Sequence, residues 1–214
     1  MPLRVHVLCA EGHPVVASLL RWKENQETNK VDVIFRPEDA RGGDILFLIS
    51  CPFIIDDNIR SRYGKTLIVH ASDLPIGRGW SPMVWEVIQG AKSITVTLLE
   101  AAEKIDSGAI WKKQNFQIAD HELYDEINEK LFGITCELMN FAVVNFRTVI
   151  PVPQDDRAPS YHRKRTPNDS KIDPDRSIRE QFDLLRICDP LRFPAFFELN
   201  GQMYDIEIRK RPRS

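Results

Sequence analysis

Between Asp44 and Ser50 the chain is almost wholly apolar, reading Ile45-Leu46-Phe47-Leu48-Ile49. A run this short and continuous suits a strand covered on both faces, since a half-exposed strand alternates apolar with polar residues. Similar runs occupy residues 3–9, 31–35 and 66–70. Between the first two, Pro14 stands where a first helical turn tolerates proline, and Val15, Leu19, Leu20 and Trp22 follow it. Strands separated by helical pieces imply an α/β domain with a mostly parallel sheet. Ligands of such sheets lie beyond the carboxyl ends of the strands. His70, Ser50 and Cys51 stand at such ends.

Residues 80–89 read as a helix opened by Ser81-Pro82 and closed at Gly90. A β-branched strand over 94–99 leads to a turn at Ile105-Asp106-Ser107-Gly108 and a short strand at 110–112. Residues 120 to 144 predict a long amphipathic helix, with Asp120 as N-cap and Leu123, Ile127, Leu131, Ile134 and Leu138 among its apolar positions. Residues 150–174 are rich in Pro, Asp, Arg and Ser and predict an irregular segment. A helix over 174–187 is expected next. Residues 195–199 and 203–208 then flank Asn200-Gly201, a strong hairpin signal. The expected organisation is a core over 1–150 and an extension over 151–214, made of the irregular segment, a small helix and the hairpin.

The net charge of −2 argues against bulk attraction to nucleic acid or an anionic membrane. No apolar stretch approaches the ~20 residues of a membrane span, and the strand-like start gives no expectation of a signal peptide. A cytoplasmic protein is expected. The four cysteines form no CxxC pair, so neither a zinc knuckle nor a disulfide scaffold is expected. Cys9 and His13 lack further ligands at matching spacing, and no metal is expected. His121 and His162 lie in polar contexts and read as surface residues.

The chemistry concentrates between Leu67 and Asp106. An apolar strand ends abruptly in His70-Ala71-Ser72-Asp73-Leu74-Pro75, followed by Gly77-Arg78-Gly79-Trp80-Ser81-Pro82. Taken alone, His70 reads evenly as a cleft residue or as a structural histidine bonded to its loop. Asp106 alone reads more readily as a turn-former before Gly108. Together with Arg78-Gly79 and Asp106-Ser107-Gly108, the order resembles the formyltransferase family that uses formyl-tetrahydrofolate. That family carries Asn-x-His-Pro-Ser-x-Leu-Pro, then Arg-Gly, then a later Asp-x-Gly turn. Thr95-Val96-Thr97-Leu98-Leu99 is similar to the strand leading into that turn. Further on, Arg165-Thr166-Pro167-Asn168-Asp169-Ser170-Lys171-Ile172-Asp173 resembles an Arg-x-Pro-x-Asp-x-x-Ile-Asp segment of the family. Residues 178–186 and Phe193-Pro194-Ala195-Phe196 resemble the helix and loop after it. Within the family the chain is most similar to sugar N-formyltransferases acting on nucleotide-linked aminosugars, such as those of pseudaminic acid pathways.

The resemblance implies a Rossmann-like core and an enzyme that moves a formyl group from N10-formyltetrahydrofolate to a sugar amine through a tetrahedral oxyanion. His70 would donate to that oxyanion. Asp106 would orient His70 and help take the proton from the amine. The family asparagine two residues before the histidine is Ile68 here, which cannot donate. Ser72, Ser50 or a backbone N–H near His70 are the candidate substitutes. Ser50, Phe53 and Ile54 would wall the pterin, and Ala102, Glu103 and Ile105 would present backbone groups to its edge. Arg78, Gly79 and Trp80, with Arg165 of the basic Arg163-Lys164-Arg165 group, would bind the nucleotide diphosphate. Phe196 could stack on the base, although core packing of the hairpin accounts for it more readily. A homodimer through the hairpin is a further expectation. Glycinamide ribonucleotide and initiator-tRNA formyltransferases are the rival enzymes. A non-catalytic nucleotide-sugar-binding relative is the rival of another class, favoured by Ile68.

Overall fold

The structure, a computed structural model, describes residues 1–155 and 158–211. Four strands run parallel at one side of its central sheet: β1 (Arg4–Cys9), β2 (Lys30–Ile34), β3 (Gly43–Ile49) and β4 (Tyr63–His70). A short strand, β5 (Arg78–Gly79), stands apart from that sheet. β6 (Ser93–Glu100) and β7 (Ile110–Gln117) then complete it antiparallel, giving the order β2-β1-β3-β4-β6-β7. The helices are α1 (Val16–Glu24), α2 (Asp57–Arg60), α3 (Pro82–Ile88), α4 (Tyr124–Asn145) and α5 (Phe182–Ile187). β8 (Tyr161–His162) pairs with β5, and β9 (Ala195–Leu199) with β10 (Gln202–Ile206) makes the hairpin.

The apolar run in β3 is covered on both sides, as its composition requires. Ile45, Phe47 and Ile49 join Val5 and Val7 of β1 and Leu138 and Met139 of α4 in the main core. Leu46 and Leu48 face the other way, against Leu8, Ile55 and Tyr63. Each fully buried side chain of this size contributes about 1.5–3 kcal/mol. The Trp22 indole N–H donates to Asn140 Oδ1 at 2.7 Å and ties α1 to α4. No helix among the described residues is long and apolar enough to cross a membrane.

Two boundaries differ from expectation. α4 begins at Tyr124, not at Asp120. Glu122 and Glu126 fold back to accept from the N–H groups of Ala119 and Leu123, both at 2.9 Å, while Asp120 pairs with Lys92 at 2.5 Å. The glutamates thus satisfy backbone donors that an Asp120 cap would have served. The helix expected over 174–187 is reduced to α5. Gln181 braces the open turn before it, accepting from Asp173 N at 2.7 Å and donating to Asp173 O at 2.9 Å. Ile172, Leu185, Cys188 and Ala195 form a small separate core beneath the hairpin. Asn200 and Gly201 take φ of +52° and +74°, the backbone a tight two-residue hairpin turn demands.

Candidate active site

β4 delivers His70 to the carboxyl end of the sheet, where it is buried. On neighbouring β6, Thr97 Oγ1 donates to the Ser72 carbonyl at 2.7 Å and fixes the start of the following loop. The loop returns at Gly77, with φ +75°, and its carbonyl lies 2.8 Å from His70 Nε2. A carbonyl only accepts, so Nε2 carries a hydrogen. That leaves Nδ1 toward Asp106 Oδ2, 3.6 Å away.

Asp106 is equally constrained. It takes φ +51°, a left-handed turn that a short polar residue tolerates. Its Oδ2 accepts from the Gly79 N–H at 2.9 Å. The Gln154 amide donates to the carbonyls of Asp106 and Gly108, both at 2.8 Å. Gly108 passes so near β6 that a Cβ there would stand 1.8 Å from the Glu100 carbonyl oxygen. A buried imidazole and a buried carboxylate therefore face each other at a strand end, each held by backbone groups of one loop.

The segment carrying Gln154 is strapped over that loop. Arg78 and Gly79 of β5 pair in parallel with Tyr161 and His162 of β8. Gly77 N donates to Ser160 Oγ at 2.9 Å. Arg78 is 1% exposed, and its guanidinium donates to Gln154 Oε1 at 2.7 Å and Tyr161 Oη at 3.2 Å. Its fork is engaged within the protein. Arg78→Lys keeps the charge but loses the fork. It is expected to reduce stability by about 1–3 kcal/mol. Thermal denaturation reads this as a lowered Tm; an unchanged Tm would leave Arg78 to a substrate alone.

The other expected site residues separate into groups. Ser72 is fully buried, and its Oγ has no hydrogen-bond partner among the described residues. Ile68 lies two residues before His70 and packs with Leu48, Cys51 and Ala101. Ser50, at φ +45°, opens a loop that exposes Phe53 and Ile54, while Ala102, Glu103 and Ile105 are exposed after β6. Ala102 and Glu103 line an open groove of about 450 Å³ that also reaches α2 and Lys65. Beside it, the apolar cluster with Ile55, Ile68 and Ala101 and the uncovered backbone after β6 fit a flat heterocycle with a polar edge. Arg165 is buried, donating to Ser170 Oγ at 2.9 Å and lying over the Phe193 ring. Phe196 is buried within β9. Both are packed into the C-terminal unit. Trp80 is 41% exposed, with Lys164 Nζ 4.9 Å from its ring centre. Arg163 lies similarly over Trp85, at 4.8 Å.

His162 corrects one expectation, because it is no plain surface residue. It is partly buried and stacks on Trp85 with ring centres 6.3 Å apart. Burial, and then the nearby His70, hold its pKa below the ordinary imidazole value. Gln154 went unnoticed altogether, since an amide in an irregular segment gives no local signal. Among the described residues no group of three potential ligands stands together to hold a metal. Burial pushes the Cys9 thiol up to about 12, as for an inert core cysteine.

A family model described as formyl transferase matches residues 15–140. A methionyl-tRNA formyltransferase of Rickettsia bellii (strain RML369-C) is 30% identical over 170 residues, covering 78% of this chain and 53% of that protein. The chain thus spans about half the length of the curated relatives it matches. Among solved structures, HypX from Aquifex aeolicus in complex with tetrahydrofolic acid superposes with a TM-score of 0.79 at 19% identity, over 95% of this chain and 37% of that one. A sugar N-formyltransferase from Shewanella sp FDAARGOS_354 gives 0.75 at 15% identity, over 99% of each chain. Likeness at these identities establishes the shared fold.

Proposed function

The chain belongs to the formyl transferase family, and we propose that it moves the formyl group of N10-formyltetrahydrofolate to the amine of a nucleotide-linked aminosugar. The observation that carries the reaction type is the buried His70–Asp106 couple, held by Gly77 and Gly79 at the carboxyl end of the sheet. When bound, the folate supplies a formyl group activated toward amines. The apolar cluster around Ile68 and the backbone after Glu100 would hold its ring. Nε2 is spent on the Gly77 carbonyl, so it is Nδ1, which lies 3.6 Å from Asp106 and makes no hydrogen bond to it, that would donate toward the formyl oxygen as negative charge gathers there. Asp106, held by the Gly79 N–H, would set its negative charge against Nδ1 and favour a proton there. Ile68 leaves His70 without the second donor that the family asparagine would provide. The fully buried Ser72 is not at a surface that substrate reaches in this conformation, so a backbone N–H is the better substitute.

The acceptor assignment rests on the surface beside the couple. Trp80 with Lys164 and Trp85 with Arg163 set flat rings against cations, a combination suited to a base and its phosphates. Arg78, Arg165 and Phe196 fit this picture as residues that shape the surface from within. Residues 1–150 would form the catalytic core and 151–214 the extension that closes the acceptor side, its hairpin being free to join a homodimer. A second reading, formylation of a charged tRNA, is favoured by the Rickettsia relative's identity. The net charge of −2 weighs against it. The test compares a nucleotide-linked aminosugar, glycinamide ribonucleotide and methionyl-tRNA as acceptors, following release of tetrahydrofolate. Turnover is expected with the aminosugar at a kcat/KM at least a hundred-fold above the others. Turnover confined to either rival transfers the assignment to it, and binding of the nucleotide sugar without turnover makes the chain a binding protein.

A further inference from the structure

The couple at the strand end is held by two glycines, and one residue abuts both of them, Gly77 with its ring and Gly79 with its backbone. Gly77 takes the hydrogen bond of His70, and Gly79 gives one to Asp106. A Cβ on Gly77 would stand 3.4 Å from His162 Nε2, and one on Gly79 would stand 2.5 Å from the His162 carbonyl oxygen. His162 therefore lies one residue away from each member of the couple. Its imidazole is set by stacking on Trp85, at an interplanar angle of 15°. The ring is partly buried, and among the described residues no side-chain hydrogen bond ties either of its nitrogens. An imidazole so placed, oriented by stacking and committed to no other group, has its lone pair available.

Formyl transfer needs such a group. The attacking amine forms a bond to the formyl carbon and must lose a proton. The bond from that carbon to the folate nitrogen breaks, and that nitrogen gains a proton. His70 is occupied as a donor to the oxygen, and Asp106 is occupied by Gly79 and His70. Building on the proposed formyl transfer, we infer that His162 is the second catalytic imidazole, taking the amine proton and returning it to the leaving nitrogen. Each turnover then leaves His162 in its starting state, with no net proton change on the protein.

The neighbouring groups agree with a neutral, proton-accepting ring. His70 acts on it from β4, Asp106 lies on the Gly79 N–H, Trp85 of α3 stacks on it without charge, and Arg163 follows it in its own segment with its guanidinium over Trp85. Burial and the nearby His70 both disfavour its protonated form. At neutral pH the lone pair is therefore present. General bases of this kind contribute about 10²–10⁴-fold.

Two measurements on the full chain test the assignment together. The first follows the His162 ring by NMR against pH, with no substrate present. Its midpoint is expected below that of free imidazole, and to rise when His70 is replaced by glutamine. The second compares His162→Phe, which preserves stacking on Trp85, with the wild type in formyl transfer. A fall in kcat of at least tenfold is expected, with KM for the acceptor within threefold, Tm unchanged and the acid limb of the kcat profile lost. His162→Gly should recover part of its rate in added imidazole. A midpoint indifferent to His70, a kcat within twofold, or a change in KM alone overturns the assignment. A wild type that transfers formyl to no amine overturns the reaction itself, and this inference with it, whereas an active His162→Phe overturns only the inference.

Discussion

Replacing His70 with glutamine is expected to lower kcat for formyl transfer about a thousand-fold, with Tm changed little. Glutamine fills a similar volume and can still donate toward the Gly77 carbonyl, now 2.8 Å from Nε2. It offers no second nitrogen toward Asp106, which faces His70 Nδ1 at 3.6 Å. The loss is thus concentrated on the donor that meets the formyl oxygen. Removing one such donor typically costs about 10²–10³-fold, and the loss here falls on a site where Ile68 already supplies none. Asp106→Asn should fall nearly as far, because the neutral amide has no negative charge to favour a proton on Nδ1. The double variant should fall little further, since groups acting as one unit do not add. Tetrahydrofolate release under saturating acceptor measures all three. A His70→Gln kcat within tenfold of wild type would remove His70 from the chemistry.

Gly108→Ala has the largest expected structural effect. The added Cβ would stand 1.8 Å from the Glu100 carbonyl oxygen and 2.7 Å from its carbonyl carbon. These are backbone atoms at the end of β6 and cannot swing aside. Glu100 N–H is bonded to the Ala109 carbonyl at 2.9 Å, and the Glu100 carboxylate pairs with Lys65 and Trp111. The strand and the turn must separate. That breaks the ladder locally and displaces Asp106, two residues upstream. A loss above about 4 kcal/mol is expected, in the range reserved for severe steric or buried-network damage. Urea denaturation reads it directly; a loss under about 1 kcal/mol would mean that the turn is free to move and that Asp106 is not rigidly held.

How much of this was legible in the sequence follows from what each feature depends on. The apolar run at residues 45–49 depends only on its own composition, so β3 and its double covering were readable. The start of α4 depends on Glu122 and Glu126 reaching back to the chain, and an Asp120 cap was an equally good local choice. His70 and Asp106 were readable as an ordered pair of motifs, but their mutual orientation comes from Gly77 and Gly79, whose roles are tertiary. The pairing of Arg78–Gly79 with Tyr161–His162 spans two residues on each side, too few to leave a periodic signal. Arg78 accordingly read as a charge seeking a phosphate, whereas its fork closes on Gln154 and Tyr161. His162 read as surface for the same reason.

The strap that brings Gln154 and His162 to the strand end makes this centre a property of the chain's whole length, not of its sheet. A fragment cut near residue 150 would retain the main core and display His70 and Asp106. It would lack the amide that clasps the Asp106 turn and the partners of Arg78, Gly77 and Gly79. Such a piece would be a scaffold without a working tool. For anyone recombining this chain with others, the smallest transferable unit therefore has to carry the loop of residues 71–80 and its downstream clasp together.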